Sequence, residues 1–195
     1  LKENFKRVTL ITITKENAKK NKVADFFQFN NSTDSIKFVN SYSLMDDDDL
    51  SFFMKEKFDL GFAIGWQRIL PEKILNSIKF GVFGMHGSAM KLPRGRGRSP
   101  LNWSIIDNHK NFYNTLFKYS NGIDDGKILD TYEFEINEFD TSETLHFKNY
   151  LSMQYLIKKN TERLSKNDQL LKDQSMDKPT YYPKRDESDS LINWN

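Results

Sequence analysis

Residues 81–103 read GVFGMHGSAMKLPRGRGRSPLNW, and the fold is decided by this stretch. The apolar run Val82, Phe83, Met85 has the content of the end of a buried strand. It stops at His86-Gly87-Ser88, where a loop with Pro93, Arg94, Arg96 and Arg98 takes over. Pro100 suits a first helical position, so a helix is predicted from there. Strand, polar loop, helix is the arrangement in which open α/β sheets place their chemistry, at the carboxyl ends of the strands. No other segment of the chain combines glycines, an imidazole and clustered cations.

Upstream, residues 7–14 (RVTLITIT) alternate with β-branched side chains and predict a strand. Residues 1–6 read as the tail of a helix, which implies a first strand and most of its helix ahead of Leu1. The aromatic cluster Phe26-Phe27-Gln28-Phe29 suits a short strand or turn, and residues 36–40 a short strand. Residues 46–57 (DDDDLSFFMKEK) predict a helix with acids in its first turn and lysines in its last, complementing the macrodipole. The four Asp point in different directions on a helix start, which weighs against a metal cluster. Residues 58–64 (FDLGFAI) form an apolar run suited to a parallel strand covered on both faces. A loop at residues 65–71 and a short helix at 71–77 lead into the strand at 79–85. Strands alternating with helices predict a mostly parallel, doubly wound α/β sheet.

Downstream, residues 112–119 and 128–136 carry strand patterns around the turn-rich segment Asn121-Gly122-Ile123-Asp124-Asp125-Gly126. Asp140, with Glu143 three positions on, is placed to cap a long helix running to about Ser165. Leu145, Tyr150, Leu151, Met153, Leu156 and Ile157 are available as its buried face. An aromatic-basic tail follows, with Thr180 to Arg185 reading TYYPKR and Ile192-Asn193-Trp194 at the end. Residues 1–140 are expected to form the catalytic domain, and residues 141–195 a C-terminal helix and tail packed on it.

Composition bounds the partners. A length of 195 residues suits one domain, and a net charge of +2 gives no argument for nucleic acid or an anionic membrane. Cysteine is absent, so disulfides and thiolate metal sites are excluded and a reducing compartment fits best. No apolar run approaches the roughly 18 residues of a membrane span, nor do the opening residues read as a leader. Sixteen Phe and eight Tyr supply enough apolar area for a packed core despite the polar average.

The loop GMHGS…LPRGRGRSPLNW, followed by GIDDGKIL, resembles the formyltransferase family. The similarity covers roughly residues 7–136 and implies a Rossmann-like, mostly parallel sheet with flanking helices. It places His86 at the family's catalytic histidine and Asp124 at its catalytic aspartate. The loop GWQRILPEKIL matches the region that wraps the pterin of 10-formyltetrahydrofolate, which implies cofactor contacts from Trp66, Arg68, Ile69 and Leu70, with Gly122 on the second loop. The spelling Arg96, Gly97, Pro100, Trp103 is closer to the tRNA and sugar branches than to the purine branch. TYYPKR resembles the tail of nucleotide-sugar enzymes. One departure stands out: the family asparagine two residues before the histidine is Gly84 here. That asparagine polarises the formyl carbonyl, and loss of such a donor costs on the order of 10²–10³ in rate. Ser88, Asn102 or a backbone N–H are the candidate replacements, and a donor simply missing predicts that Gly84→Asn speeds turnover.

The expected chemistry is transfer of a formyl group from 10-formyltetrahydrofolate, as co-substrate and without a metal, to an amine. The low net charge and short C-terminal segment favour a nucleotide-linked 4-amino-4,6-dideoxyhexose for surface-glycan synthesis. Methionyl-tRNA, glycinamide ribonucleotide and a catalytically impaired folate- or nucleotide-sugar-binding relative remain as alternatives. Arg94, Arg96 and Arg98 suit bidentate contacts to phosphates, with solvated or packed arginines as the plain alternative. Tyr181, Tyr182 and Lys184 suit a nucleotide base and its phosphates, with a docking tail weighed equally. The expected protein is cytoplasmic and binds small molecules, with no nucleic acid; a homodimer is left open.

Overall fold

The computed structural model describes residues 4–23, 35–168 and 170–191. The expected features at residues 1–3, 26–29 and 192–194 lie outside them. The chain divides into two compact units, Leu1–Phe83 with Lys158–Gln169, and Gly84–Ile157 with Leu170–Asn195.

In the first unit, β1 (Thr9–Ile13) and β2 (Ser35–Val39) pair in parallel with Thr9 opposite Ser35. Between them stands α1 (Lys15–Asn21), capped by Thr14, whose side chain accepts from the Asn17 N–H. This helix is absent from the sequence expectation because only Ala18 of its residues is buried, leaving no apolar stripe to read. Residues 4–6 form a turn and bend rather than the tail of a helix.

The acidic run opens α2 (Asp47–Glu56) as expected, with Asp46 as its cap. Asp49 has a separate duty. It is fully buried, and its two carboxylate oxygens accept the Asn40 and Ser41 N–H groups, each at 2.9 Å. The helix is thereby bolted to the backbone that leaves β2. Phe52, Phe53 and Phe58 cluster beside it with ring centroids 5.7–6.1 Å apart. The predicted strand at 58–64 shortens to β3 (Gly61–Ala63), because the Phe58 and Asp59 carbonyls accept from Lys79 and Phe80 in a turn-side contact. Pro71 then caps α3 (Glu72–Ser77), and β4 (Val82–Ser88) follows, its first residues beside β3.

The second unit continues β4 and adds β5 (Arg96–Gly97), α4 (Pro100–Ile106), β6 (Asn111–Lys118) and β7 (Ile128–Glu135). Here β4 neighbours β6, which pairs with β7 antiparallel around a bulge at Leu116/Phe117. The expected α/β sheet with flanking helices is present, with an antiparallel pair at this edge, since the Gly122–Gly126 turn joins β6 and β7 over too few residues for a parallel crossover. Leu101, Phe112, Ile136 and Leu145 form a buried core, with Ile105 and Phe134 packed against it.

The long helix α5 (Ser142–Ser165) is present, but its start and its buried face differ from expectation. The Thr141 Oγ1 accepts from the Thr144 N–H and the Thr144 Oγ1 from the Thr141 N–H, a reciprocal box one residue beyond Asp140. Asp140 instead accepts from Lys148 at 2.5 Å and from Thr144 at 2.9 Å. Tyr150 and Leu151 are exposed, while the buried stripe is Leu145, Ser152, Leu156, Asn160 and Leu164. Polar Ser152 belongs to it because the buried Asn114 amide donates to its hydroxyl at 2.9 Å. The tail supplies β8 (Tyr181–Tyr182), parallel to β5, and ends in a 3-10 turn at Glu187–Ser190.

Asp49→Ala leaves the Asn40 and Ser41 N–H groups without their partner in a part-buried position. Urea unfolding is expected to show a loss of about 2–3 kcal/mol, with helix content retained.

Candidate active site

β4 alternates its side chains, so residues 84, 86 and 88 share one face, and all three are buried. His86, 8% exposed, points its Nε2 at the Gly95 carbonyl, 2.7 Å away. A carbonyl only accepts, which assigns a proton to Nε2 and leaves Nδ1 to receive one. Nδ1 faces the Asp124 Oδ2 at 3.4 Å. The pair expected from the sequence, 38 positions apart, is brought together. The same Oδ2 accepts the Gly97 N–H at 3.1 Å, so one carboxylate oxygen holds both the imidazole and the arginine loop. Asp124 sits in the left-handed region, φ 50°, which a short polar side chain tolerates. Asp125, by contrast, accepts from the Ser120 hydroxyl and closes the turn. A side chain at Gly122 would collide with the Asp125 carboxylate, so this glycine is required by the turn itself.

Gly95 is the hinge of the loop. Its N–H donates to the Thr180 hydroxyl at 2.9 Å, its carbonyl receives His86, and its φ is +70°. A Cβ there would press into the Ser88 hydroxyl and stand 3.0 Å from the Met90 Cβ. Ser88 is buried and its oxygen accepts the Met90 N–H at 3.2 Å. Among the other candidate donors, the Asn102 side-chain Oδ1 accepts from the Ser142 hydroxyl at 3.0 Å.

Beside Gly84 lies a residue absent from the sequence expectation. The Tyr119 ring fills the space that a Cβ at Gly84 would take, with its hydroxyl 2.6 Å from that point. Burial first, and the Asp124 carboxylate second, push its phenol up to about 12. The ring tilts against Phe117 at 5.3 Å. Tyr119 ends the aromatic run at 112–119; only the void left by Gly84 distinguishes it.

The three arginines separate. Arg94 and Arg98 are exposed at the surface, whereas Arg96 is buried and taken up by the tail. Its guanidinium donates to the Gln174 Oε1 at 2.6 Å and to the Tyr181 hydroxyl at 3.2 Å, with its Nε left unpaired among the described residues. Gln174 in turn donates to the Asp124 and Gly126 carbonyls at 2.8 and 2.9 Å. Tyr182 stacks on Trp103 at 6.2 Å and 7°, and the Trp103 indole donates to the Pro183 carbonyl at 3.0 Å. Lys184 is exposed. Gln174 and Thr180 carry no local signal in the sequence, because their partners lie roughly 50 to 85 positions away.

In the first unit, the 65–70 loop is shaped by Tyr42. The Tyr42 hydroxyl accepts the Gln67 N–H at 3.1 Å, its ring meets Trp66 edge-on at 4.8 Å, and Arg68 lies over it at 4.9 Å. The Trp66 indole N–H is buried without a partner among the described residues. Ile69 is 59% exposed, while Leu70 is buried. The described residues contain no group of three or more metal-ligating side chains and no helix long and apolar enough to cross a membrane.

Two outcomes are expected. Gly95→Ala forces a left-handed conformation that costs about 1–2 kcal/mol, and the His86 imidazole resonances should shift in NMR spectra. The Tyr119 phenol, raised to about 12, stabilises the fold below the ordinary tyrosine range near 10. That contribution is lost as pH rises through about 12, and an ultraviolet tyrosinate titration should lose its last step in Tyr119→Phe.

The formyl transferase family matches residues 3–152 of the chain. The bifunctional polymyxin resistance protein ArnA of Wigglesworthia glossinidia brevipalpis is 38% identical over 146 residues, 75% of this chain and 22% of that protein. The methionyl-tRNA formyltransferase of Clostridium tetani is 31% identical over 163 residues, 83% of this chain and 52% of the relative. The chain thus spans about a fifth and about half of the lengths of these relatives. The N-formyltransferase from Helicobacter canadensis, solved with folinic acid and dTDP-3-aminofucose, superimposes with a TM-score of 0.59 at 21% identity, over 90% of this chain and 70% of that one. The match to the family over residues 3–152, with the formyltransferase fold around His86 and Asp124, settles the assignment: this chain belongs to the formyl transferase family.

Proposed function

We propose that the protein moves a formyl group from 10-formyltetrahydrofolate to the amine of a nucleotide-linked amino sugar, a 4-amino-4,6-dideoxyhexose in surface-glycan synthesis, in the cytoplasm. The observation that carries the reading is the buried His86 with Nδ1 3.4 Å from Asp124, on a loop whose backbone is held by the same carboxylate. Formyl transfer needs a group that accepts a proton from the amine and returns it to the departing nitrogen, and a histidine beside a carboxylate does both.

The neutral amine lone pair attacks the formyl carbon, and the carbonyl π electrons move onto oxygen. The excess proton on the amine passes to the His86–Asp124 pair, directly or through water. The oxyanion then re-forms the carbonyl, the bond to N10 breaks with its electrons on N10, and His86 returns the proton there. The products are the formamide and tetrahydrofolate. His86 is the shuttle, and Asp124 holds the charged ring.

The unpaired Trp66 N–H and exposed Ile69 support the reading of residues 66–70 as pterin contacts. Exposed Arg94, Arg98 and Lys184 fit contacts to the sugar nucleotide's phosphates. Arg96, Tyr181 and Tyr182 shape the loop from within, since each already has a partner in the chain. Similarity to both ArnA and methionyl-tRNA formyltransferase keeps transfer to an aminoacyl-tRNA as the second reading.

The test is incubation of the full-length protein with 10-formyltetrahydrofolate and a panel of dTDP- and UDP-linked amino sugars, with methionyl-tRNA alongside. Formylated sugar is expected, and His86→Ala should lower kcat by about 10²–10⁴-fold. Product from methionyl-tRNA alone would replace the sugar, and turnover of no acceptor would sink the enzyme reading.

A further inference from the structure

The oxyanion in that reaction needs a hydrogen-bond donor placed before the charge forms. The residues around His86 offer few. Both His86 nitrogens face acceptors, Gly95 and Asp124. The Gly97 N–H is used by Asp124, and the Gly95 N–H by Thr180. The Ser88 oxygen receives Met90, and the Arg96 guanidinium is turned to Gln174 and Tyr181, with only its Nε–H left over among the described residues.

Tyr119 differs from all of these. Its ring lies on the face of β4 that also carries His86, against a glycine that leaves the space open. Among the described residues its hydroxyl makes no hydrogen bond. That oxygen stands 2.6 Å from where a Cβ of residue 84 would be. An asparagine amide nitrogen lies about 2.4 Å from its own Cβ by standard bond lengths, so the phenol hydroxyl stands about as close to that point as an amide at position 84 would. Building on the proposed formyl transfer, we propose that the Tyr119 hydroxyl is the donor that stabilises the oxyanion on the transferred formyl oxygen, beside Gly84.

The hydroxyl gives a hydrogen bond and keeps its proton; the proton in transit belongs to His86. With its phenol pushed up to about 12, Tyr119 stays a donor across the working range of a neutral amine. Gly84 is then the counterpart of Tyr119 rather than a defect. The space at this position is already filled, so Gly84→Asn alone should slow the enzyme by displacing the tyrosine, against the sequence expectation of a gain.

Four full-length proteins test this with the acceptor found above: wild type, Tyr119→Phe, Tyr119→Ala, and Tyr119→Ala with Gly84→Asn. Tyr119→Phe retains the ring and should lose about 10²–10³-fold in kcat, with both KM values and the melting temperature little changed. Tyr119→Ala should be at least as slow, and adding Gly84→Asn should recover at least tenfold. An active wild type with Tyr119→Phe unchanged in kcat overturns the proposal and leaves formyl transfer intact. A Tyr119→Phe protein that loses stability and gains in KM rather than losing kcat overturns it as well, by showing a packing role. Failure of the wild type with every acceptor removes the underlying reading, and the proposal with it.

Discussion

The His86 imidazole and the arginine loop lean on one carboxylate oxygen. The Asp124 Oδ2 is shared between the imidazole and the Gly97 N–H, and the Asp124 carbonyl is held by Gln174. The end of β4, the arginine loop, the β6–β7 turn and the tail therefore meet at a single residue. Charge is what makes this economical. A neutral amide could receive the backbone N–H, but it could not also balance a protonated ring, so aspartate is required where asparagine would suffice for the loop alone.

Close approach is the second constraint. Positions 84, 95 and 97 are glycines because each faces an atom that belongs to another element: the Tyr119 ring, the Ser88 hydroxyl and the Tyr182 carbonyl. Interiors are packed to crystal-like density, so volume removed at one position is taken up by another. Seen this way, the glycine-rich loop is a set of contact points, and its flexibility in an unfolded chain is spent on fitting strand, loop and tail into one small volume. The buried Arg96 follows the same logic: its guanidinium spans Gln174 and Tyr181 and ties the tail to the loop that carries it.

The strand-loop-helix at 82–106 was legible because three local signals coincide there: an apolar run, its abrupt end at His86 and a proline at a first helical position. His86 and Asp124 were legible through family resemblance and not through spacing, since only the fold closes 38 positions to 3.4 Å. Helix α1 was not legible because a polar segment with one buried alanine has no periodicity. The exposed Tyr150 and Leu151 and the buried Ser152 of α5 misled for the opposite reason: burial there follows the hydrogen-bonding needs of Asn114, which hydropathy does not encode. The pairing of β5 with β8 rests on two residues from each strand, and no local pattern announces so short a ladder. Tyr119 hides in an aromatic run whose other members are core; its position is understood only from what Gly84 lacks.

The tail's pairing has a consequence for how the site comes into being. Gly95 is joined to Thr180 and Arg96 to Tyr181, each across 85 positions. During synthesis the histidine, the aspartate and their loop leave the ribosome long before those partners exist. Until residues 174–182 have emerged, the loop lacks its outer strand and Asp124 lacks the amide that holds its carbonyl. Assembly of the loop around His86 thus waits on a segment made 85 positions after it.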